Sequence, residues 1–163
     1  VIPNASRNGI REMQLQTFYV TNSVPQIQNS FNSGIWSSLE GALQSVAESE
    51  TIYIVTGSVL NKVGENKTIS YTTPKDNTSQ KCAIPNYFYK VALKVNTSGG
   101  KVTSAKAIGF WFEHKTYSDN YTNYAVSVDN IEQWTGFDFF VNLPDSIEST
   151  AETNTSWSSF QSF

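Results

Sequence analysis

Apolar and polar residues alternate most regularly in the middle of the chain. Tyr87, Tyr89, Val91, Leu93 and Val95 fall on one side of an extended backbone, and Phe88, Lys90, Ala92 and Lys94 on the other. Thr97-Ser98-Gly99-Gly100 supplies a turn, and Val102 to Glu113 returns with the same period, Ala105, Ala107, Gly109 and Trp111 alternating with Lys106, Ile108, Phe110 and Phe112. This pattern predicts an antiparallel hairpin. The apolar, β-branched run Thr51–Thr56 reads as a central strand that Gly57 ends. Thr17–Val20 reads as a strand running into a loop marked by Asn22, Ser23 and Pro25.

From about Ser33 the period becomes helical. Ile35, Leu39, Ala42, Leu43 and Val46 form one apolar stripe, which predicts a helix from Asn32 or Ser33 to Ala47. A second helix is framed by Asp129 as N-cap, Glu132 as its capping-box partner and Gly136 as the stop, with Ile131 and Trp134 toward the core. A short strand at Ala125–Ser127 precedes it. Val1 to Gln16 reads as a loop. Asn61 to Lys81 reads as a polar excursion with a short hairpin around Thr68–Tyr71, its Lys62, Lys67, Lys75 and Lys81 in solvent. Ser146 to Phe163 reads as a mobile or loosely docked tail. No linker or repeat divides the chain. The expectation is one α+β domain over residues 1–163, an antiparallel sheet with helices packed on it.

Composition refines this picture. With 163 residues and 13% aromatics the chain can build a sizeable core. Charged residues make up only 15%, below the roughly 25% of ordinary domains. Ser, Thr and Asn fill the gap, which suggests a secreted or periplasmic location. The net charge of −3 does not advertise a nucleic-acid binder, although a local basic groove or a bound cation can handle phosphate. The single Cys82 forms no internal disulfide, and no apolar run reaches the roughly 18 residues of a membrane span. His114, the one histidine, falls at the end of a predicted strand and reads as a strand-end residue rather than a catalytic base.

Asn32, Trp36 and Glu40 stand at steps of four along the flank of the apolar stripe. On a continuous helix Asn32 and Glu40 lie about 80° apart around the axis and about 12 Å along it. That is too far to share one small cation directly, but Glu40, leaning back, can hold water bound to an ion at Asn32.

These residues carry a resemblance. Thr17 to Gln26 (TFYVTNSVPQ) followed by Phe31 to Glu40 (FNSGIWSSLE) resembles the ββα-metal fold of the sugar-nonspecific DNA/RNA endonucleases of the His-Me finger superfamily. Ile52–Gly57, Ile84–Val91 and Val126–Asp145 add three blocks in the family's order. The resemblance implies hydrolysis of phosphodiester bonds in DNA and RNA. Asn32 would be the single protein ligand of a divalent metal, Mg²⁺ with Mn²⁺ or Ca²⁺ as alternatives, and Glu40 would hydrogen-bond to metal-bound water. Asn22 and Gln26 match positions that brace the active-site loop, and Arg7 and Arg11 lie near the expected site as weaker candidates for phosphate contact. Gln44 departs from relatives that carry a basic residue one turn after Glu40. The family's general base is the His of an Asp-Arg-Gly-His block, expected just upstream of Val1, in the same protein or as a separately bound segment. This stretch alone is accordingly expected to be inactive. The competing readings are an exported carbohydrate- or protein-binding module and an inert nuclease-like body.

Overall fold

The computed structural model describes residues 9–19 and 23–163. Its centre is the expected hairpin. Strand β4, Tyr87–Ser98, pairs with β5, Lys101–Glu113, and the Gly99-Gly100 turn between them has both φ angles positive, at 58° and 78°. A two-residue hairpin loop with that handedness matches the twist of the strands it joins, and glycine adopts it without steric cost. Strand β1, Tyr53–Val59, lies antiparallel to β4, and β6, Ala125–Val126, to β5, giving the order β1-β4-β5-β6. A separate antiparallel pair joins β2 (Ser70–Thr72) to β3 (Cys82–Ile84), so the short hairpin expected around Thr68–Tyr71 is instead one strand of a wider one whose second strand lies beyond Lys81.

Both faces of the sheet are covered, so the middle of β4 is buried throughout. Phe88, Ala92, Ile108, Phe110 and Phe112 meet Phe31, Ile35, Trp36, Leu39, Leu43 and Val46 on one face. The last four belong to, or directly precede, helix α2, Ser37–Ala47. Tyr89, Val91, Leu93 and Trp111 meet Val128 and Ile131 of helix α3, Val128–Thr135, and Ala151 of helix α4, Asp145–Ala151, on the other. Each of the larger aromatic and aliphatic side chains among these contributes about 1.5–3 kcal/mol by leaving water, and the alanines less.

Several sequence expectations give way. Helix α1, Arg11–Gln16, stands where a loop was expected. Thr17, Phe18 and Tyr19 continue from it as turns, their amides donating to the carbonyls of Gln14, Leu15 and Gln16. Local hydrogen bonds to the end of α1 thus override their β propensity; Val20, the last residue of the expected strand, lies outside the described residues. Strand β1 is an edge strand among the described residues, not a central one, and it runs through Gly57. Gly57 faces Tyr89, and a Cβ there would come within 2.3 Å of the ring, so the glycine makes room for the aromatic across the ladder.

At α3 the N-cap is Ser127, whose hydroxyl accepts from the Asn130 amide, and Asp129 sits inside the first turn. Glu132 is spent on the Phe139 amide at 2.7 Å. Gly136 stops the helix as expected, in the left-handed conformation. The C-terminal stretch expected to be a loose tail is docked. Helix α5, Trp157–Gln161, buries Trp157 and Phe160 against the sheet, and Lys106 Nζ donates to the Ser159 carbonyl at 2.9 Å. Lys94, 1% exposed, pairs with Glu50 at 2.9 Å beneath the Phe160 ring. No helix among the described residues is long and apolar enough to cross a membrane.

Candidate functional site

The segment that enters α2 is not the straight helix expected from its spacing. Between Gln28 and Trp36 the backbone winds in wide, irregular turns, interrupted by non-helical angles at Asn29, Ser30 and Gly34. Gly34 has φ −116° and ψ −110°, so the angular relation between Asn32 and Glu40 on a continuous helix does not hold. Ser30 adopts φ 62°, a conformation that non-glycine residues rarely take, and its buried hydroxyl has no hydrogen-bond partner among the described residues. Strain of this kind persists where surrounding structure imposes it. Here the anchors are Phe31, which stacks near Trp36 and lies edge-on to His114, and a hydrogen bond from the Asn32 amide back to Ile27 at 3.0 Å.

His114 holds the base of this segment. Its Nε2 accepts from the Ile27 amide at 2.9 Å, and its Nδ1 lies 3.0 Å from the Pro85 carbonyl. A carbonyl only accepts, so Nδ1 carries the proton and the ring is neutral. Burial lowers the imidazole pKa below 6.5, opposed by the Pro85 contact. The strand-end reading therefore gains a specific content: His114 ties Pro25–Ile27 to the end of β5. Beside it opens a cleft of about 470 Å³ lined in part by Gln26, Ile27, Thr72, Asn86 and His114.

Asn32 is half-buried on the kinked segment. Its Nδ2 donates to Gln28 Oε1 at 3.2 Å, while its Oδ1 has no protein partner among the described residues. An amide oxygen fixed by its own nitrogen and left without a donor is a suitable hard-cation ligand. Glu40, on the first turn of α2, is committed differently from the expectation. Its Oε1 pairs with Lys90 Nζ at 3.2 Å. Lys90 is 4% exposed, donates to Thr56 Oγ1 at 3.0 Å and lies 4.4 Å from the Trp36 ring centre. Burial pulls the lysine pKa down and Glu40 pushes it back up. Gln26 lines the cleft, and the bond that fastens this loop comes from the Ile27 amide. Arg11 is exposed at the start of α1, whose residues are all outside the core. Asn22 and Arg7 lie outside the described residues.

A second group escaped sequence reading. Carboxylate oxygens of Asp129, Glu132 and Glu152 lie within 4.8 Å of one another at the junction of α3 and α4. Glu152 is pushed up to about 8 by burial and by the neighbouring Glu132, Glu148 and Asp129 carboxylates. Such a group can hold a metal ion. Its signal in the sequence was weak, because Glu152 comes 20 residues after Glu132, in a stretch rich in Ser and Thr.

A layered antiparallel sheet carrying a kinked, amide-bearing entry into a packed helix makes this an α+β protein. The family model for DNA/RNA non-specific endonucleases matches residues 1–146, and the chain belongs to that family. It is 32% identical over 153 residues to the mitochondrial endonuclease G of Caenorhabditis elegans, covering 88% of this chain and 47% of the relative. It is 31% identical over 137 residues to nuclease C1 of Cunninghamella echinulata, covering 78% of this chain and 50% of the relative. With the mitochondrial nuclease 1 of Schizosaccharomyces pombe the identity is 26% over 147 residues, covering 88% and 45%. The chain thus spans about half the length of these relatives. Endonuclease G in a crystal structure of its complex with the inhibitor EndoGI shares the fold, with a TM-score of 0.62 at 18% identity, covering 84% of this chain and 56% of that one.

Proposed function

We propose that this chain supplies the metal-binding half of a sugar- and sequence-nonspecific endonuclease that hydrolyses DNA and RNA. The observation that carries the reading is Asn32, whose oxygen stands without a protein partner among the described residues on a strained segment, within a chain of this family. Asn32 would hold the metal, for which Mg²⁺ is the favoured identity since it needs few protein oxygens and keeps most of its waters. When bound, the ion supplies Lewis-acid stabilisation of charge on the phosphodiester and its leaving oxygen.

The chain's own residues position this site. His114 and Phe31 fix the entering segment, and the Gln28 carbonyl oxygen fixes the Asn32 amide. Lys90 orients Glu40 through one oxygen, and in this reading the other oxygen meets water near the ion. His114 is not available as a general base, because both ring nitrogens are engaged within the fold. In this reading, proton abstraction from the attacking water is assigned to the histidine of the family's Asp-Arg-Gly-His block and not to His114. Asn22 and Gln26 are assigned to bracing the loop, and Arg7 and Arg11 to phosphate.

The test is Asn32→Ala in the full-length protein, assayed by Mg²⁺-dependent nicking of plasmid DNA and degradation of RNA. Loss of at least about 10²-fold, with an unchanged circular dichroism spectrum, is expected. Retained activity would refute the ligand assignment.

A further inference from the structure

We propose that Asp129, Glu132 and Glu152 form a calcium site that clamps α3 to the end of α4, on the face of the sheet opposite α2. Three carboxylate oxygens from two helices converge within 4.8 Å of one another. Two ligands of one calcium ion, each at 2.3–2.6 Å, can stand up to roughly 5 Å apart, so the spread matches that ion's sphere. Proximity alone would mean little on an acidic surface. What distinguishes this group is Glu152, which is 5% exposed and whose Oε1 has no hydrogen-bond donor among the described residues. A buried carboxylate oxygen without a donor forfeits its hydration and gains nothing in return. No lysine or arginine among the described residues forms an ion pair with it. Glu148, one turn earlier in α4, adds a second buried oxygen without a partner among the described residues. A cation among the three carboxylates answers the missing donor at Glu152 and their mutual repulsion.

The remaining contacts hold the carboxylates in place. Glu132 accepts from the Phe139 amide at 2.7 Å through Oε1. Glu152 is held through its backbone, where its carbonyl accepts from the Val128 amide at 2.9 Å, beside Asp129. The donor set is all oxygen and mostly carboxylate, with no His or Cys, which favours a hard cation over zinc. Calcium accepts irregular geometry and several carboxylates, whereas magnesium keeps its waters and demands an octahedron. The ion would join three pieces of chain, the start of α3, the loop after Gly136 and the end of α4, and it does not depend on the assignment of Asn32.

Chelator-treated full-length protein titrated with CaCl₂ in a calorimeter tests this, alongside Asp129→Asn, Glu152→Gln and Asn32→Ala. We expect a calcium site that is present in the parent, survives Asn32→Ala, and is weakened at least about 10-fold in both acidic-cluster variants. Calcium at roughly 100 times the parent's Kd should raise the Tm of the parent by about 5 °C and that of Glu152→Gln by about half as much or less. Glu152→Gln is nearly isosteric and relieves like-charge crowding, so it should fold; its unperturbed spectrum makes a loss of binding interpretable. No calcium heat in the parent, binding retained in Glu152→Gln, or binding abolished by Asn32→Ala alone would each overturn the proposal.

Discussion

Removing the charge of Glu40 tests how the α2 face is held together. In Glu40→Gln the buried Lys90 keeps Thr56 Oγ1 at 3.0 Å and the Trp36 ring at 4.4 Å but loses its one counter-charge among the described residues, 3.2 Å away. The gross attraction at that separation is ~5 kcal/mol at an effective dielectric near 20. Glu40 is 21% exposed, so water already screens part of this, and glutamine retains a carbonyl that can accept from Nζ. A net loss of about 2–3 kcal/mol remains, within the range for stranding one member of a buried pair. Lys90→Met should be far cheaper, about 1 kcal/mol or less, because the half-exposed Glu40 can rehydrate while methionine fills the space between Trp36, Phe88 and Ala92. The double variant should recover most of what Glu40→Gln loses, with a coupling near 2 kcal/mol. Urea unfolding followed by tryptophan fluorescence reads all four proteins. If Lys90→Met proved more damaging than Glu40→Gln, or Glu40→Gln cost under about 0.5 kcal/mol, Lys90 would not depend on Glu40 and the argument would fail.

His114→Ala removes the acceptor for the Ile27 amide and a donor to Pro85, and should cost about 2 kcal/mol. Because burial lowers its pKa, the folded state binds fewer protons than the unfolded state below pH 6.5. Its contribution is therefore complete above pH 6.5 and declines as the pH falls through the depressed value. Urea midpoints between pH 5 and 8 should show that decline in the parent and a shallower one in the variant; parallel curves would contradict it. Phe160→Ala should destabilise by about 3–5 kcal/mol and expose the C-terminal stretch to limited proteolysis, since the ring is fully buried against the sheet. Cleavage there at equal rates in parent and variant would mean that α5 is not docked.

What the sequence revealed and what it hid follow from the range of the forces involved. The β4–β5 hairpin was legible because alternation and a Gly-Gly turn are local statements, and the α2 stripe because its apolar residues lie on one turn after another. Thr17 to Tyr19 misled because their β propensity lost to hydrogen bonds from the preceding helix, whose own start in a polar stretch had little periodicity. The kink at Gly34 was masked by apolar spacing that continues undisturbed through it. Lys90 and Lys94 were placed on the right face of β4, but alternation cannot say that this face is covered and that each lysine is matched by Glu40 or Glu50. The acidic cluster was hidden for a similar reason. Asp129 and Glu132 satisfy a capping pattern by themselves, and only the packing of α4 brings Glu152 to them.

The placement of charge bears on how such a chain can meet a polyanion. Of its eleven basic residues, Lys90 and Lys94 are buried against acids of the α2 region, Lys106 is tied to α5, and Lys62 lies 4.0 Å from the centre of the Trp134 ring. These cations neutralise or brace the protein's own groups. With a net charge of −3, the chain generates little long-range attraction for phosphate. In the proposed reading, capture of the substrate by this chain then rests on short-range contacts at the Asn32 segment and on a bound ion, while the buried lysines serve the fold. They fix the sheet against α2 and so hold Asn32 and Glu40 in place, a task in which an exposed cation would serve less well, because water would screen it.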